Sequence, residues 1–149
     1  MRVVLQRVTR GEVRIDGALQ GHIDSGLVAL VGIMQGDGPA EVERLAQKTA
    51  QLRIFRDEQG RMNRSALEVG AGVLVISQFT LYADMKRGRR PGFTRAGRPE
   101  LAEPLVERYA ASLRAVGIAR VACGVFGADM QLVIHNDGPV TLILDSAEL

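Results

Sequence analysis

From Val3 to Met34 the chain alternates short apolar runs with turn chemistry, a pattern that predicts strands. Val3-Val4-Leu5-Gln6-Arg7-Val8 and Val13-Arg14-Ile15 read as strands. Asp16-Gly17 is a two-residue type I′ turn signal leading into Ala18-Leu19-Gln20, so an antiparallel meander is expected. Gly26-Leu27-Val28-Ala29-Leu30-Val31-Gly32-Ile33 is a continuous apolar run, as expected of a strand covered on both faces at the centre of a sheet. After Gly36-Asp37-Gly38, Pro39 suits a first helical turn, and Val42, Leu45, Ala46 and Thr49 recur at helical spacing.

Leu52-Arg53-Ile54-Phe55 predicts a short strand, and Asp57-Glu58-Gln59-Gly60 a turn. Val73-Leu74-Val75-Ile76 predicts a second buried strand, running into Ser77-Gln78-Phe79-Thr80-Leu81. Pro99 opens a second helix with Leu101, Leu105, Tyr109, Leu113 and Val116 as its apolar stripe, and Gly117 stops it. Met130–Ile134 and Val140–Leu144 predict two closing strands around a tight connection, Asn136-Asp137-Gly138-Pro139. The sum is an α/β fold: a single domain, residues 1–149, with a mostly antiparallel curled, barrel-like β-sheet and two main helices packed against it.

Composition fits that picture. The chain has 149 residues, 46% hydrophobic and 24% charged, enough for one core. No apolar run approaches the roughly 18 to 20 residues that span a bilayer, so no membrane partner is expected. The first residues read as a strand rather than a signal peptide, and a cytoplasmic location is expected. The lone Cys123, beside Val121 and Val125, reads as a small buried hydrophobe. Net charge is only +2, but Lys86, Arg87, Arg89, Arg90, Arg95 and Arg98 follow one another with no acid between them. With Phe93 and several glycines in the same stretch, such a loop suits phosphates and base stacking, while its bland alternative is a solvated loop.

Two further segments carry candidate chemistry. Ser77, Gln78, Phe79 and Thr80 follow a fully apolar strand, where polar groups are held rigidly; the alternative is that Ser77 and Thr80 satisfy local backbone and Phe79 fills core. A Thr80 nucleophile would need a base, and the only histidines, His22 and His135, lie in strand-like stretches. No Ser-His-Asp set, HExxH or CxxC is present, so neither a side-chain triad nor zinc is supported, and no metal or cofactor is expected. Gly138-Pro139 is either an ordinary turn or a cis pair aiming two successive carbonyls the same way.

Taken together, these segments resemble the D-aminoacyl-tRNA deacylase family. The likeness is carried by Gln6-Arg7-Val8, Leu52–Phe55 with Met62-Asn63, Ser77–Asp84, Gly124–Met130 and Asn136–Thr141. One departure is Gly92, where the family usually has serine. The resemblance implies hydrolysis of the ester of D-aminoacyl-tRNA, and also of mischarged glycyl-tRNA, by a homodimer with tRNA and no DNA as its partner. It implies that Ser77, Gln78, Phe79 and Thr80 form the catalytic segment, and that Phe126, Ala128 and Met130 line the aminoacyl and adenosine pocket. It implies that Gly138-Pro139, oriented by Arg7, enters the partner subunit's pocket and excludes L side chains with its carbonyls. The basic loop, Lys86, Arg87, Arg89, Arg90 and Phe93, would hold the tRNA. Two mechanisms follow from the family: Thr80 as nucleophile, or attack by water assisted by the RNA 2′-hydroxyl, with backbone N–H groups near Phe79 stabilising the oxyanion. The missing base favours the second. The rival reading from another class is a non-catalytic module that binds the tRNA end.

Overall fold

The computed structural model describes residues 1–86 and 88–149. Strand β1 (Arg2–Ile15) runs the length of the domain and organises it. Along one edge it pairs antiparallel with β3 (Gly26–Gly32) through Arg2–Val8 and with β2 (Ala18–Ile23) through Gly11–Ile15; its other edge carries β8 (Gln131–Asp145), also antiparallel. The Asp16-Gly17 hairpin turn forms as predicted, both residues having positive φ.

The expected meander needs correcting. β3 pairs with β1 rather than with β2, because β1 is long enough to offer each of them one half of the same edge. β6 (Gly72–Ser77) then adds parallel to β3, and β7 (Val121–Cys123) parallel to β6, so the order is β2-β1-β3-β6-β7 with β8 outside β1. The path curls until its ends approach: a Cβ on Gly21 of β2 would lie 3.2 Å from the Cys123 carbonyl oxygen of β7.

The apolar runs of β3 and β6 are explained by this curl. Leu27, Ala29, Val31, Val73 and Val75 face an outer core shared with helix α1 (Pro39–Gln51) and helix α3 (Pro99–Ala115). Their neighbours Val28, Leu74 and Ile76 fill a second core inside the curl, with Val8, Val13 and Ile23. Both faces of the strands are therefore dry, and successive residues point to alternate cores. The two helices are tied to each other by a buried hydrogen bond, 2.7 Å, between Thr49 Oγ1 and Tyr109 Oη.

Four local readings change. Strand β4 is only Phe55–Arg56, paired with β5 (Met62–Arg64), and Leu52–Ile54 lead into it as connection. A four-residue helix α2 (Ala66–Val69) is added, capped by Ser65, whose Oγ accepts from Glu68 N at 3.3 Å while its own N donates to Glu68 Oε2 at 2.6 Å. The two closing strands are one bulged strand, β8, in which Asp137–Val140 bulge between Asn136, opposite Val8, and Thr141, opposite Gln6. Continuous pairing on both sides of the bulge keeps the chain running forward, where a tight turn would reverse it. Cys123 is only partly buried, its Sγ 3.9 Å from Arg114 Nη2.

Candidate active site

β6 delivers the polar segment. Val31 is in register with Ser77, and Gln78 N donates to the Val31 carbonyl at 2.7 Å, so the strand geometry persists one residue beyond the sheet. A single 3-10 turn (Phe79–Tyr82) follows. It lies hard against β3: a Cβ on Gly32 would stand 3.0 Å from Leu81 Cβ and 3.1 Å from the Gln78 carbonyl oxygen, so a larger residue there would have to push the turn away by a few tenths of an ångström. Gln78 N is taken by Val31, and Leu81 and Ala83 donate their N–H groups within the turn, whereas those of Phe79 and Thr80 donate to no acceptor among the described residues. Thr80 is exposed, and its Oγ1 accepts from Gln78 Nε2 at 2.5 Å. No carboxylate or imidazole among the described residues bonds to it.

A cavity of about 650 Å³ opens beside this turn. Val31, Ile33, Ala102 and Val106 give it apolar walls, and Ser77, Gln78, Phe79, Phe93 and Phe126 meet around it. Phe79 and Phe93 pack edge to face with centroids 4.9 Å apart. Four of the predicted positions from two distant segments are thereby joined with Phe126. Met130 and Ala128 stand outside this lining: Met130 Sδ occupies the space beside Gly124, 2.5 Å from where a Cβ would be, and packs with the inner core, while Ala128 N closes a turn onto the Val125 carbonyl. A second cavity of about 390 Å³ shares Ser77, Val106 and Phe126 with the first.

The basic loop is pinched at its base by a reciprocal backbone pair, Asp84 N to Gly92 O at 2.7 Å and Gly92 N to Asp84 O at 2.9 Å. Lys86, Arg89 and Arg90 are exposed; Arg87 lies outside the described residues. A Cβ on Gly92 would meet only the Asp84 carbonyl, at 4.0 Å, so nothing in the packing demands glycine there.

Gly138 and Pro139 sit elsewhere, exposed in the β8 bulge and joined by a cis bond. Arg7, 3% exposed, spans the bulge: Nε donates to the Asp137 carbonyl at 3.1 Å, and Nη1 to the Ile54 carbonyl at 2.5 Å. Arg56 was not singled out by sequence, yet its Nη1 binds both carboxylate oxygens of Asp137. The Arg56 hydrogen bond, helped by the nearby Arg7 charge, holds the Asp137 carboxyl below the usual carboxylate range against a smaller opposing effect of burial. No signal in the sequence pairs positions 56 and 137, which the sheet brings together. Among the described residues no group of three His, Cys, Asp or Glu side chains could hold a metal, and no helix is long and apolar enough to cross a membrane.

Fold and site together define a barrel-like α/β domain in which Ser77, Gln78 and Phe79, at the end of a buried strand, line a largely apolar cavity. A family model described as D-Tyr-tRNA(Tyr) deacylase matches residues 4–145. A D-aminoacyl-tRNA deacylase of Chloroflexus aurantiacus is 56% identical over 149 residues, covering 100% of this chain and 92% of the relative. One from Thermomicrobium roseum is also 56% identical, covering 100% and 96%. Among solved structures, one described as c-Myc DNA Unwinding Element Binding Protein superposes with a TM-score of 0.92 at 37% identity, covering 97% of this chain and 98% of the other. A probable eukaryotic D-amino acid tRNA deacylase, at 16% identity and a TM-score of 0.82, covering 96% and 97%, shares the fold. The chain belongs to the D-Tyr-tRNA(Tyr) deacylase family: it is a hydrolase acting on the ester bond of D-aminoacyl-tRNA.

Proposed function

We propose that residues 1–149 act as one chiral-proofreading domain, a cytoplasmic homodimer in which each subunit's Gly138-Pro139 completes the other's cavity. The observation that carries this is a separation. The bulge that holds Gly138 falls between the Val8–Asn136 and Gln6–Thr141 pairs, at the level of Arg7, which pairs with Leu27, and Leu27 with Val73, four residues before Ser77. Those registers put the bulge roughly 13 Å along the strands and about 14 Å across them from its own chain's reacting segment. An exposed, doubly clamped bulge that cannot reach its own cavity is suited to serve a second copy's.

In this reading the cavity takes the aminoacyl group and terminal adenosine. Phe126 and Phe93 flank them, with Met130 and Ala128 behind the lining, supporting the segment that carries Phe126. Carbonyls of the partner's Gly138 and Pro139 occupy the space an L side chain would need, and glycine, with no side chain to exclude, passes. Water attacks the ester carbonyl with the RNA 2′-hydroxyl assisting. The orphan N–H groups of Phe79 and Thr80 support the oxyanion, each such donor lowering a barrier by about 3 to 4 kcal/mol in dry sites. Thr80 is not the nucleophile here, since its oxygen already accepts from Gln78 and no base adjoins it among the described residues.

The test is release of amino acid from matched D-, L- and glycyl-tRNA, with duplex DNA as a competitor. Turnover of the D ester and of glycyl-tRNA with the L ester spared is expected. Binding of all three without cleavage would favour a tRNA-end-binding module instead, and a strictly monomeric active enzyme would remove the cross-subunit filter.

A further inference from the structure

The turn Phe79–Tyr82 and the segment Phe93–Arg95 grip each other at both ends. At one end Phe93 packs on Phe79; at the other, the Arg95 guanidinium carbon stands 6.0 Å from the centroid of the Tyr82 ring. The same ring takes Arg2 at 5.2 Å, and Arg2 is itself fixed, donating Nη1 to the Leu81 carbonyl at 3.1 Å and Nη2 to Asp145 at 2.7 Å. Tyr82 is buried, and its hydroxyl makes no hydrogen bond among the described residues. Burial, with Asp37 and Asp145 nearby, pushes that hydroxyl up to about 12, so it stays neutral. What Tyr82 contributes is therefore its ring face. Arg95 is exposed, pairs with no carboxylate among the described residues, and stands three residues past the Gly92 that closes the basic loop.

We infer that Tyr82 and Arg95 are positioning residues for deacylation, joining the basic loop to the reacting turn so that seating the loop on RNA phosphates and setting the Phe79–Thr80 N–H groups occur together. Guanidinium over an aromatic face supplies a directional contact without consuming the cation's hydrogen-bonding edge; Arg95 Nη2 also makes a long contact of 3.8 Å to Met34 Sδ, a weak acceptor, and the remaining N–H groups can hold a phosphate while the ring is held. The inference rests on the reading of Ser77–Thr80 as the reacting segment.

The experiment is steady-state deacylation of D-aminoacyl-tRNA by the full chain. Arg95→Gln is expected to lower kcat about tenfold, the scale of a small misplacement of catalytic groups, with Arg95→Lys restoring most of it. Tyr82→Leu is expected to match that loss, Tyr82→Phe to recover it, and the Tyr82→Leu, Arg95→Gln double variant to be no slower than Tyr82→Leu alone. A purely structural role would lower the melting temperature and the active fraction but leave kcat per folded molecule intact. An Arg95→Gln effect confined to KM, or additive losses in the double variant, overturns the proposal. Should Tyr82→Leu fail to fold, the exposed Arg95 pair still decides it. Phe79→Pro, which removes one of the two N–H groups at the first position of the turn, separates the premises: full kcat and KM there would show that the oxyanion donors lie elsewhere, whereas an impaired but folded Phe79→Pro beside a normal Arg95→Gln overturns the coupling alone.

Discussion

Arg56 on β4 holds Asp137 on β8 with one nitrogen, Nη1, set 3.0 Å from one carboxylate oxygen and 2.7 Å from the other. The contact fixes the residue immediately before Gly138 and, with Arg7, determines which way the exposed bulge faces. Because Arg56 is half exposed, the pair contributes little to stability, about 0.2 to 1 kcal/mol. Arg56→Ala should therefore melt close to the parent yet discriminate less well between D- and L-aminoacyl-tRNA. Assays of both esters with a melting curve check this; unchanged discrimination would confine Arg56 to the surface.

The same carboxylate sets a pH dependence. Its folded pKa lies below its unfolded value, so the stabilisation is fully present above the unfolded pKa, near 4, and is lost as pH falls through the folded one. The melting-temperature gap between parent and Arg56→Ala should hold from neutral pH down to about 5 and close in stronger acid. A gap that widened on acidification would contradict this account.

Gly138 has a φ of +150°, and a Cβ there would fall 2.7 Å from Val140 N and 2.8 Å from Val140 Cγ2. Gly138→Ala should shift the bulge at a cost of about 1 to 3 kcal/mol, leave the two cores folded, and reduce D-specific cleavage by about a hundredfold. Calorimetry with single-turnover rates tests it. Parental rates and parental D/L preference would exclude the bulge from the site.

Thr80→Ala removes one hydrogen bond, that from Gln78. Loss of turnover should be no more than about tenfold, the scale of a single bond, against roughly 10⁴-fold or more for a missing nucleophile. Single-turnover measurements at saturating enzyme distinguish the two.

Lys86, Arg89 and Arg90 are exposed around a loop whose base is pinched shut. If these three each meet a phosphate of single-stranded RNA, log affinity should fall with log salt at a slope of about −2. Replacing Arg89 and Arg90 by Gln should reduce that slope to about −0.7. A salt-independent KM would remove backbone contacts from the account.

Helices α1 and α3, the Asp16-Gly17 hairpin and the two doubly buried strands were legible in the chain because each obeys a local rule of spacing, capping or turn chemistry. Motif reading also marked Ser77, Gln78, Phe79, Phe93 and Phe126, which meet around one cavity, and Thr80, which stands outside its lining. Helix α2 escaped because four residues give no periodicity, although Ser65 and Glu68 carried its capping signal. The β8 bulge was misread because Asn-Asp-Gly-Pro is equally good chemistry for a turn, and only pairing with β1 on both sides of it keeps the strand running.

The sequence by itself determined the elements, the alternation that fills two cores, and the location of the unusual polar groups. Tertiary structure decided what those groups face. Whether β3 follows β2 or displaces it along β1, whether position 56 meets position 137, and whether Gly138 lies near Ser77 or far away are settled by register across strands distant in sequence. Local propensity carries no information about such pairings, because the free energy that selects them comes from burying whole faces at once.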